Sequence, residues 1–402
     1  MTFAYDASWL KTTRPPLSQS LPLSGDFGTG EVVAYFGGLL PEGAPRQILS
    51  RQLGVSAAND FALLEALGGD TAGAVSLLAP GSEIPSTTGD DVQWLDERQL
   101  NELIVELPSR PMHTDSDGEW RLSLAGAQDK LPVLLGEDGR IGLTRGRTPS
   151  THILKTPIAG LHDTVANEAY CLELGRRLGI DTVVAVPRRA GDRECLLVAR
   201  YDRRATPAGI ERLHQEDFCQ ALGIPSDRKY QAEGGPGLPD CFGLVRAAVS
   251  VPARESPRLL DYVGLSFLVG NHDAHGKNFS LLYNLDSHLA ELAPAYDILC
   301  TVVYRHVKPM SRKMAMHIGG EYRPGWVRAR HLERMLTDAQ LGPAASRRRL
   351  RALALEAPAH ATDVRKALVA DGWDAGALEA IEAVVHQRSR MLAEIAGPRA
   401  AK

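Results

Sequence analysis

The residues best suited to chemistry lie in one polar stretch, Gly270–Asn278, which reads Gly-Asn-His-Asp-Ala-His-Gly-Lys-Asn. Asp273 and Asn278 are five residues apart, a spacing typical of loops that catalyse phosphoryl transfer. There a carboxylate orients the attacking hydroxyl and accepts its proton, and an amide oxygen helps to hold Mg²⁺ against the phosphates. We therefore take Gly270–Asn278 as a candidate catalytic loop.

A second carboxylate, Asp297, follows Asn278 by nineteen residues and comes just after a predicted strand. A Mg²⁺ ion bound to phosphates needs more than one oxygen ligand from the protein. With the strand Phe279–Tyr283 returning between them, Asn278 and Asp297 could flank one ion. The sequence therefore predicts a magnesium site formed by these two side chains.

Two upstream segments have residues suited to binding nucleotide phosphates. Lys155 ends an apolar strand, His152–Lys155, and Glu168 in the next predicted helix is its expected ion-pair partner. Ser123–Lys130 is rich in small residues, which let backbone N–H groups approach phosphates closely. Alone, Lys155 would be read as a surface lysine of an edge strand, so this prediction depends on the whole set.

The polar loop also leaves other interpretations open. Asp and Asn in a glycine-containing loop are usually turn formers that bond their own backbone. Lys277 either contacts the γ-phosphate or balances the charge of Asp273. His272, Asp273 and His275 could instead bind the metal of a hydrolase, although a further ligand at a useful spacing is not evident.

The predicted elements change from strand-rich to helix-rich along the chain. Strands are expected at Glu31–Phe36, Leu131–Leu135, His152–Lys155, Val183–Pro187, Cys195–Tyr201 and Phe279–Tyr283. Helices are expected at Val165–Leu178 and Arg258–Val269, and helical periodicity runs from Trp326 to Gly397. The pattern predicts an α+β fold with the bilobal layout of a protein kinase.

The predicted domains follow a change of composition at Pro80–Asp91, a stretch rich in Gly, Pro, Ser and Thr that is typical of a linker. Residues 1–85 are expected to form a small N-terminal α/β subdomain. Residues 92–402 are expected to form the kinase-like core. In that core, a nucleotide-binding lobe of mixed strands and helices covers about 92–205, and a mostly helical catalytic lobe covers about 206–402.

The composition is that of an ordinary folded protein: of 402 residues, 44% are hydrophobic and 23% charged. The net charge of −4 argues against a surface built for nucleic acid. Four arginines within residues 347–351 form either a solvated helix face or a phosphate-binding patch. Five scattered cysteines predict buried thiols rather than disulfides or a zinc site. Without a signal peptide or a ~20-residue apolar segment, we expect a cytoplasmic protein with no membrane partner.

Taken together, the motifs resemble those of the HipA family over most of the chain. The resemblance is carried by Leu39–Gly43, Gly68–Asp70, Ser123–Lys130, Ser150–Lys155, Asn167-Glu168, Tyr201–Arg203, His214–Gln220, Lys229-Tyr230, Glu233–Gly237, Gly270–Asn278 and Tyr296-Asp297. Members of this family are serine/threonine-protein kinases that act as toxins of bacterial toxin–antitoxin pairs. The resemblance therefore implies a kinase that uses ATP and Mg²⁺.

The resemblance also implies roles for individual residues. Asp273 is the expected catalytic base, Lys155 the lysine that binds the ATP phosphates, and Tyr201 a neighbour of the adenine hinge. The full expected set comprises catalytic Asp273, Lys277 and Asn278, nucleotide-binding Ala125, Gly126, Ala127, Gln128, Lys155, Tyr201 and His275, and metal-binding Asn278 and Asp297. Supporting Glu168 is added to this set from general kinase chemistry and not from the resemblance. Ser123 is the expected autophosphorylation site, where about −1.5 to −2 added charges would repel bound phosphates and switch the kinase off.

Partners are implied in the same way. Family members usually pair with a helix-turn-helix antitoxin of the HipB type, so contact with DNA is expected only indirectly, through that antitoxin. The best-known type of protein substrate in the family is an aminoacyl-tRNA synthetase, glutamyl-tRNA synthetase in particular.

This chain departs from the family pattern in two places, and the departure at the N-terminus keeps an alternative function open. Family chains usually carry a short β-hairpin before the segment that matches Phe3–Asp6, and the hinge often has an acidic residue where this chain has Ala199. The alternative is a pseudokinase that binds nucleotide and an antitoxin without transferring phosphate.

Overall fold

The computed structural model describes residues 1–12, 14–67, 71–78, 81, 92–109, 128–144, 148–207, 209–284, 287, 289–304, 306–307 and 312–398. Its helices are α1 (Thr29–Gly37), α2 (Gly43–Leu53), α3 (Asp60–Leu67), α4 (Glu97–Glu106), α5 (Thr164–Arg177), α6 (Phe218–Ala221), α7 (Leu238–Ala248), α8 (Pro252–Val269), α9 (Ala329–Asp338), α10 (Pro343–Ala370) and α11 (Ala375–Ile395). Its strands are β1 (Val92–Trp94), β2 (Lys130–Leu135), β3 (Ile141–Thr144), β4 (His152–Lys155), β5 (Ala185–Ala190), β6 (Arg193–Ala199), β7 (Arg203–Thr206), β8 (Gly209–Arg212), β9 (Gln215–Asp217), β10 (Ser280–Tyr283) and β11 (Ala290–Leu292). The α+β class predicted from the sequence is confirmed.

The chain divides into two compact units. The first contains Met1–Val165, Ala185–Glu216 and Leu282–His288, and the second contains Ala166–Val184, Asp217–Leu281 and Leu289–Lys402. The predicted linker Pro80–Asp91 lies outside the described residues except for Gly81. The predicted domain limits at 85, 92 and 205 therefore stay predictions.

A six-stranded sheet positions Lys155 in the first unit. The strand order is β1-β3-β2-β4-β6-β5, and neighbouring strands are antiparallel. Lys155, the last residue of β4, lies opposite Lys130 of β2 on one side and Leu196 of β6 on the other. Leu131 and Val133, which point to the same face of β2, form a buried core with residues of α4 such as Leu103. The predicted strands Leu131–Leu135 and His152–Lys155 are confirmed by β2 and β4.

The strand predicted at Glu31–Phe36 is wrong, because this stretch lies in α1. Its β-branched and aromatic residues favour a strand locally. However, Val32, Tyr35 and Phe36 are buried at the spacing of one helix face. Glu31 also accepts a hydrogen bond from the backbone N–H of Gly28 at 2.9 Å, which satisfies a donor at the helix start. Burial on one face therefore outweighs strand propensity.

A buried charge network anchors residues 71–73 within the first unit. The Asp202 carboxylate accepts hydrogen bonds from Arg200 at 2.9 Å and from the backbone N–H of Gly73 at 2.7 Å. The guanidinium groups of Arg200 and Arg203 in turn donate to the carbonyl oxygen of Thr71. Burial alone would raise the pKa of Asp202, but the two guanidinium groups outweigh it and hold that pKa below its ordinary value.

A second anchor of the N-terminal segment contains a half-buried histidine. The Nε2 atom of His214 lies 2.7 Å from the carbonyl oxygen of Leu17, so this nitrogen carries the hydrogen. Burial lowers the pKa of His214, since the cation would lose its hydration. Glu216, two residues later, accepts a hydrogen bond from the hydroxyl of Ser18.

Long helices dominate the second unit, as the sequence predicts. Helix α8 packs against α10 and α11: Gly264 lies against Leu350 of α10, and the Arg388 guanidinium of α11 lies over the ring of Phe267. The hydroxyl of Tyr170 on α5 donates to the carbonyl oxygen of Ala361 on α10 at 2.9 Å. Among the helices that the structure describes, none is both apolar enough and long enough to span a membrane.

All five cysteines are buried free thiols, which confirms the sequence-based prediction. Burial raises the pKa of Cys195 to about 11 and that of Cys300 to about 12. A thiol with such a pKa is not a nucleophile at neutral pH, because the thiolate is the reactive form.

Candidate active site

The candidate catalytic loop, Gly270–Asn278, starts where α8 ends. Gly270 ends that helix in the left-handed conformation, with φ of 71°, which glycine adopts without steric cost. Gly276 allows close packing, because a Cβ atom there would lie 2.6 Å from Pro236 and 2.7 Å from Cys219. Asp273 is exposed, whereas its neighbours Asn271, His272, His275, Lys277 and Asn278 are buried. The loop therefore presents one carboxylate to solvent from a packed base.

Several hydrogen bonds join this loop to the segment that carries Asp297. The backbone N–H of His272 donates to the Thr301 hydroxyl at 2.8 Å, and the Tyr296 hydroxyl donates to the carbonyl oxygen of Lys277 at 2.7 Å. The Asn278 side-chain amide lies 3.5 Å from the carbonyl oxygen of Asp297, a long contact. The structure thus brings Asn278 and Asp297 together, as their spacing predicts.

The backbone at Asp297 is unusual, with φ of 58° in the left-handed region. Non-glycine residues adopt this conformation rarely, and they do so mostly where the surrounding structure imposes it, often at functional sites. Because the Asn278 amide N–H group faces the Asp297 carbonyl, its amide oxygen remains a possible cation ligand. An amide oxygen and a carboxylate are ligands that Mg²⁺ accepts in proteins, so the donor set fits this ion.

Asn167 on α5 holds the chain just after Asp297. Its Oδ1 atom accepts the N–H of Cys300 at 2.7 Å, and its Nδ2 atom donates to the carbonyl oxygen of Cys300 at 3.2 Å. Nδ2 also donates to the hydroxyl of Tyr304 at 3.1 Å. Asn167 is 1% exposed, so these contacts are shielded from water. One buried side chain therefore fixes the backbone three residues after Asp297.

The Asp273 carboxylate has a neighbouring tyrosine. The hydroxyl of Tyr230 donates to Oδ1 of Asp273 at 2.7 Å. The Asp273 backbone is fixed as well, because its N–H donates to the side chain of Asn271 at 2.9 Å and its carbonyl oxygen accepts the N–H of His275 at 2.8 Å. Side chain and backbone are therefore both oriented within the second unit.

Lys277 makes an ion pair with Asp217, at 3.5 Å between Nζ and Oδ2. Asp217 also caps α6 through a hydrogen bond from the N–H of Gln220. Charge balance with Asp273 was one of the two roles considered for Lys277, and the structure shows a different carboxylate, that of Asp217, beside its ammonium.

The ring of His275 packs edge-on against Tyr230, with 5.1 Å between centroids. Within the described residues, no three His, Cys, Asp or Glu side chains are grouped to hold a metal ion.

Comparison with known proteins identifies the family. A sequence model described as the HipA-like C-terminal domain matches residues 122–363, and one described as the HipA N-terminal domain matches residues 1–78. The chain belongs to the HipA family. The resemblance predicted from the motifs is confirmed.

Relatives in this family carry the names of kinases. Y4mE of Sinorhizobium fredii, named as a candidate kinase, is 47% identical over 324 residues, which cover 79% of this chain and 75% of that protein. The serine/threonine-protein kinase toxin HipA of Shewanella oneidensis is 31% identical over 346 residues, or 82% of this chain and 77% of that protein. The predicted enzyme class, a kinase, is thereby confirmed.

A solved structure of a HipA protein shares the fold. It is a chain in the complex of HipA, HipB and operator DNA from Shewanella oneidensis MR-1, and it superposes with a TM-score of 0.80. The two sequences are 27% identical, and the match covers 98% of this chain and 90% of the other. The kinase-like HipA fold predicted from the motifs is therefore confirmed.

The residues expected to bind nucleotide in this HipA-family chain are only partly described. Ser123, Ala125, Gly126 and Ala127 lie outside the described residues, whereas the Gln128 side chain donates to the carbonyl oxygen of Thr156 at 2.7 Å. Lys155 is buried in the first unit, and the hydroxyl of Tyr201 bonds the side chain of Gln215. Glu168 is buried in the second unit, so its pairing with Lys155 stays a prediction.

Three contributors were not assigned roles from the sequence: Asn167, Tyr230 and Thr301. Asn167 and Tyr230 lie inside segments that carry the family resemblance, which marked these segments as candidates for a functional role. The sequence does not show, however, which groups the two side chains contact. Thr301 had no signal, since a threonine after Asp297 is compatible with many local structures.

Proposed function

We propose that this chain is the toxin kinase of a toxin–antitoxin pair and transfers the γ-phosphate of ATP, with Mg²⁺, to a hydroxyl of a protein. The observation that supports this most is the arrangement in the second unit. There, one exposed carboxylate, Asp273, is presented by the same loop whose last residue, Asn278, contacts Asp297. A base and a pair of oxygen ligands are the parts that phosphoryl transfer requires.

The proposed roles follow from the environment of each group. Asp273 orients the acceptor hydroxyl and takes its proton on a carboxylate oxygen. Asn278 and Asp297 hold Mg²⁺ through oxygen atoms. When bound, Mg-ATP supplies the phosphoryl group and the charge that neutralises its oxygens. Lys277 in this scheme orders the loop through Asp217, with a contact to the γ-phosphate as its further proposed role.

Residues 125–128, Lys155, Tyr201 and His275 are proposed to complete the nucleotide site, with Glu168 supporting Lys155. Lys155 suits this role because a lysine buried at the end of a strand keeps its ammonium at a fixed position. Autophosphorylation at Ser123 is proposed as the way in which the kinase is switched off, since added charge would repel bound phosphates.

The proposed partners extend from the relatives. A HipB-type antitoxin is supported by the Shewanella complex of HipA, HipB and operator DNA, and DNA contact would then be indirect. An aminoacyl-tRNA synthetase, such as glutamyl-tRNA synthetase, is the proposed type of protein substrate. The cytoplasmic location stays a prediction.

The test is to incubate the purified chain with Mg-ATP and to map phosphate by mass spectrometry, beside an Asp273→Ala variant. Removal of a positioned base lowers the rate by about 10²–10⁴-fold, so the variant should incorporate no phosphate over short times. The proposal is supported if the parent, unlike the variant, transfers phosphate to its own Ser123 or to an added synthetase.

The alternative function has a distinct result in the same test. A parent protein that is thermally stabilised by Mg-ATP but transfers no phosphate to itself, to a synthetase or to casein is a pseudokinase. Equal phosphate on the parent and on Asp273→Ala would contradict the role of Asp273 and indicate another base.

A further inference from the structure

We propose that Tyr230 is a positioning residue for phosphoryl transfer, and that its hydroxyl holds the Asp273 carboxylate in the orientation that accepts the proton of the substrate. The inference rests on the proposed function, because it assumes that Asp273 is the base. It is carried by the hydrogen bond of 2.7 Å between the Tyr230 hydroxyl and Oδ1 of Asp273.

Tyr230 is itself held in place from both sides. Its carbonyl oxygen accepts the N–H of Gly235 at 2.9 Å, and the carbonyl oxygen of the preceding Lys229 accepts the N–H of Gly276 in the catalytic loop at 3.4 Å. The edge-on contact of its ring with His275 adds a third constraint. Tyr230 is therefore fixed to the same loop that carries Asp273.

The residue after Tyr230 strengthens this attachment. The backbone N–H of Gln231 donates to the carbonyl oxygen of Ala315 at 3.3 Å, and its side chain accepts the N–H of His317 at 2.9 Å. The N–H of Ala315 donates to the carbonyl oxygen of His272 at 2.9 Å. The Tyr230 segment, the Ala315 segment and the catalytic loop are thus tied in one chain of hydrogen bonds.

An exposed carboxylate needs such a constraint. Asp273 is exposed, so close packing against apolar neighbours does not select its rotamer. A fixed hydroxyl donor selects one orientation, and misplacement of a catalytic group by about 1 Å can cost about 100-fold in rate. A carboxylate has two oxygens with about four acceptor directions, and the bond from Tyr230 uses one direction of Oδ1.

The same hydrogen bond could instead occupy the place of the acceptor hydroxyl and block it. The attachments of Tyr230 to Gly235, His275 and the loop argue against this, because a blocking side chain has to leave before substrate binds. The two roles predict opposite effects of removing the hydroxyl, which makes them separable.

The experiment compares the full-length parent with Tyr230→Phe and Tyr322→Phe. Tyr322 is a matched control, since its ring also packs edge-on against a histidine, His317, with 5.3 Å between centroids in the same unit. The readout is incorporation of ³²P from [γ-³²P]ATP with Mg²⁺ into the chain and into dephosphorylated casein. Rates are measured as a function of ATP concentration, and melting temperatures are recorded for every variant.

The expected result is a fall of about 10-fold in the rate at saturating ATP for Tyr230→Phe, within the range for loss of a hydrogen bond to a charged group. The ATP concentration at half-maximal rate should stay within about twofold of the parent. Tyr322→Phe should match the parent in both quantities. In an Asp273→Ala background, Tyr230→Phe should cause no additional loss, because the group it positions is gone.

Other results would overturn the inference. An unchanged rate for Tyr230→Phe would show that the hydroxyl is dispensable, and a faster rate would show that it blocks the acceptor site. A changed half-maximal ATP concentration at an unchanged maximal rate would assign it to nucleotide binding. If the parent itself transfers no phosphate to either acceptor, the proposed function fails and this inference fails with it, a result distinct from the others.

Discussion

Replacement of Asn167 by alanine should be among the most damaging single changes in the second unit. The side chain is 1% exposed and makes hydrogen bonds to both backbone polar groups of Cys300 and to the hydroxyl of Tyr304. Each buried group that loses its partner costs about 1–3 kcal/mol. Because two backbone groups and one hydroxyl are affected, we expect Asn167→Ala to lower the free energy of unfolding by at least about 3 kcal/mol, the sum of the three smallest costs.

The measurement is urea denaturation of the parent and the variant, followed by tryptophan fluorescence. A suitable control is Asn101→Ala, since the Asn101 amide also donates to a carbonyl oxygen, that of Ala190 at 2.7 Å, but from a half-buried position. Water can replace its bonds, so the control should lose only about 1 kcal/mol.

A functional readout accompanies the stability measurement. Because Asn167 fixes the backbone three residues after Asp297, its loss should raise the Mg²⁺ concentration needed for half-maximal phosphate transfer. An Asn167→Ala variant that is no less stable than Asn101→Ala, with the Mg²⁺ dependence of the parent, would refute the reasoning. It would mean that the contacts around Cys300 are replaced by water at little cost.

Two further predictions concern the first unit. Burial keeps His214 neutral in the folded state, whereas in the unfolded state the ring binds a proton below its ordinary pKa of 6.5. The free energy of unfolding should therefore fall as the pH is lowered, by up to about 1.4 kcal/mol per pH unit, until the folded pKa is reached. Unfolding free energies of the parent and of His214→Phe between pH 7.5 and 5.5 check this, and equal slopes would contradict it. Asp202→Asn leaves the buried Arg200 and Arg203 side chains without their counter-charge, so it should lower the free energy of unfolding in urea by about 3–5 kcal/mol. A decrease below about 1 kcal/mol would show that water enters the network.

The candidate catalytic loop was predictable from the sequence because the residues that define it are close together in the chain. Asp273 and Asn278 lie on one loop, and their residue types and spacing are typical of loops that catalyse phosphoryl transfer. The contact of Asn278 with Asp297 also followed from spacing, because the neighbouring strands β10 and β11 lie between the two segments and return the chain.

The groups that orient this loop were not predictable in the same way. Tyr230 contacts Asp273 across 43 positions, and Asn167 contacts Cys300 across 133 positions. Such pairs depend on how separate elements pack, and no local pattern records which hydroxyl or amide meets which backbone group. The error at Glu31–Phe36 has the same origin, because the burial of one helix face is a tertiary effect that outweighs local propensity.

The division of the chain into units has a consequence for its synthesis. Each unit is built from three separate segments, so the chain passes from one unit to the other five times. A ribosome must reach His288 before the last segment of the first unit exists, and the second unit still needs residues beyond Leu289. No single proteolytic cut can separate the chain into its two units. A nascent chain that has not passed Leu289 therefore lacks part of the second unit, and kinase activity should appear only after the segment that starts at Leu289 has been made.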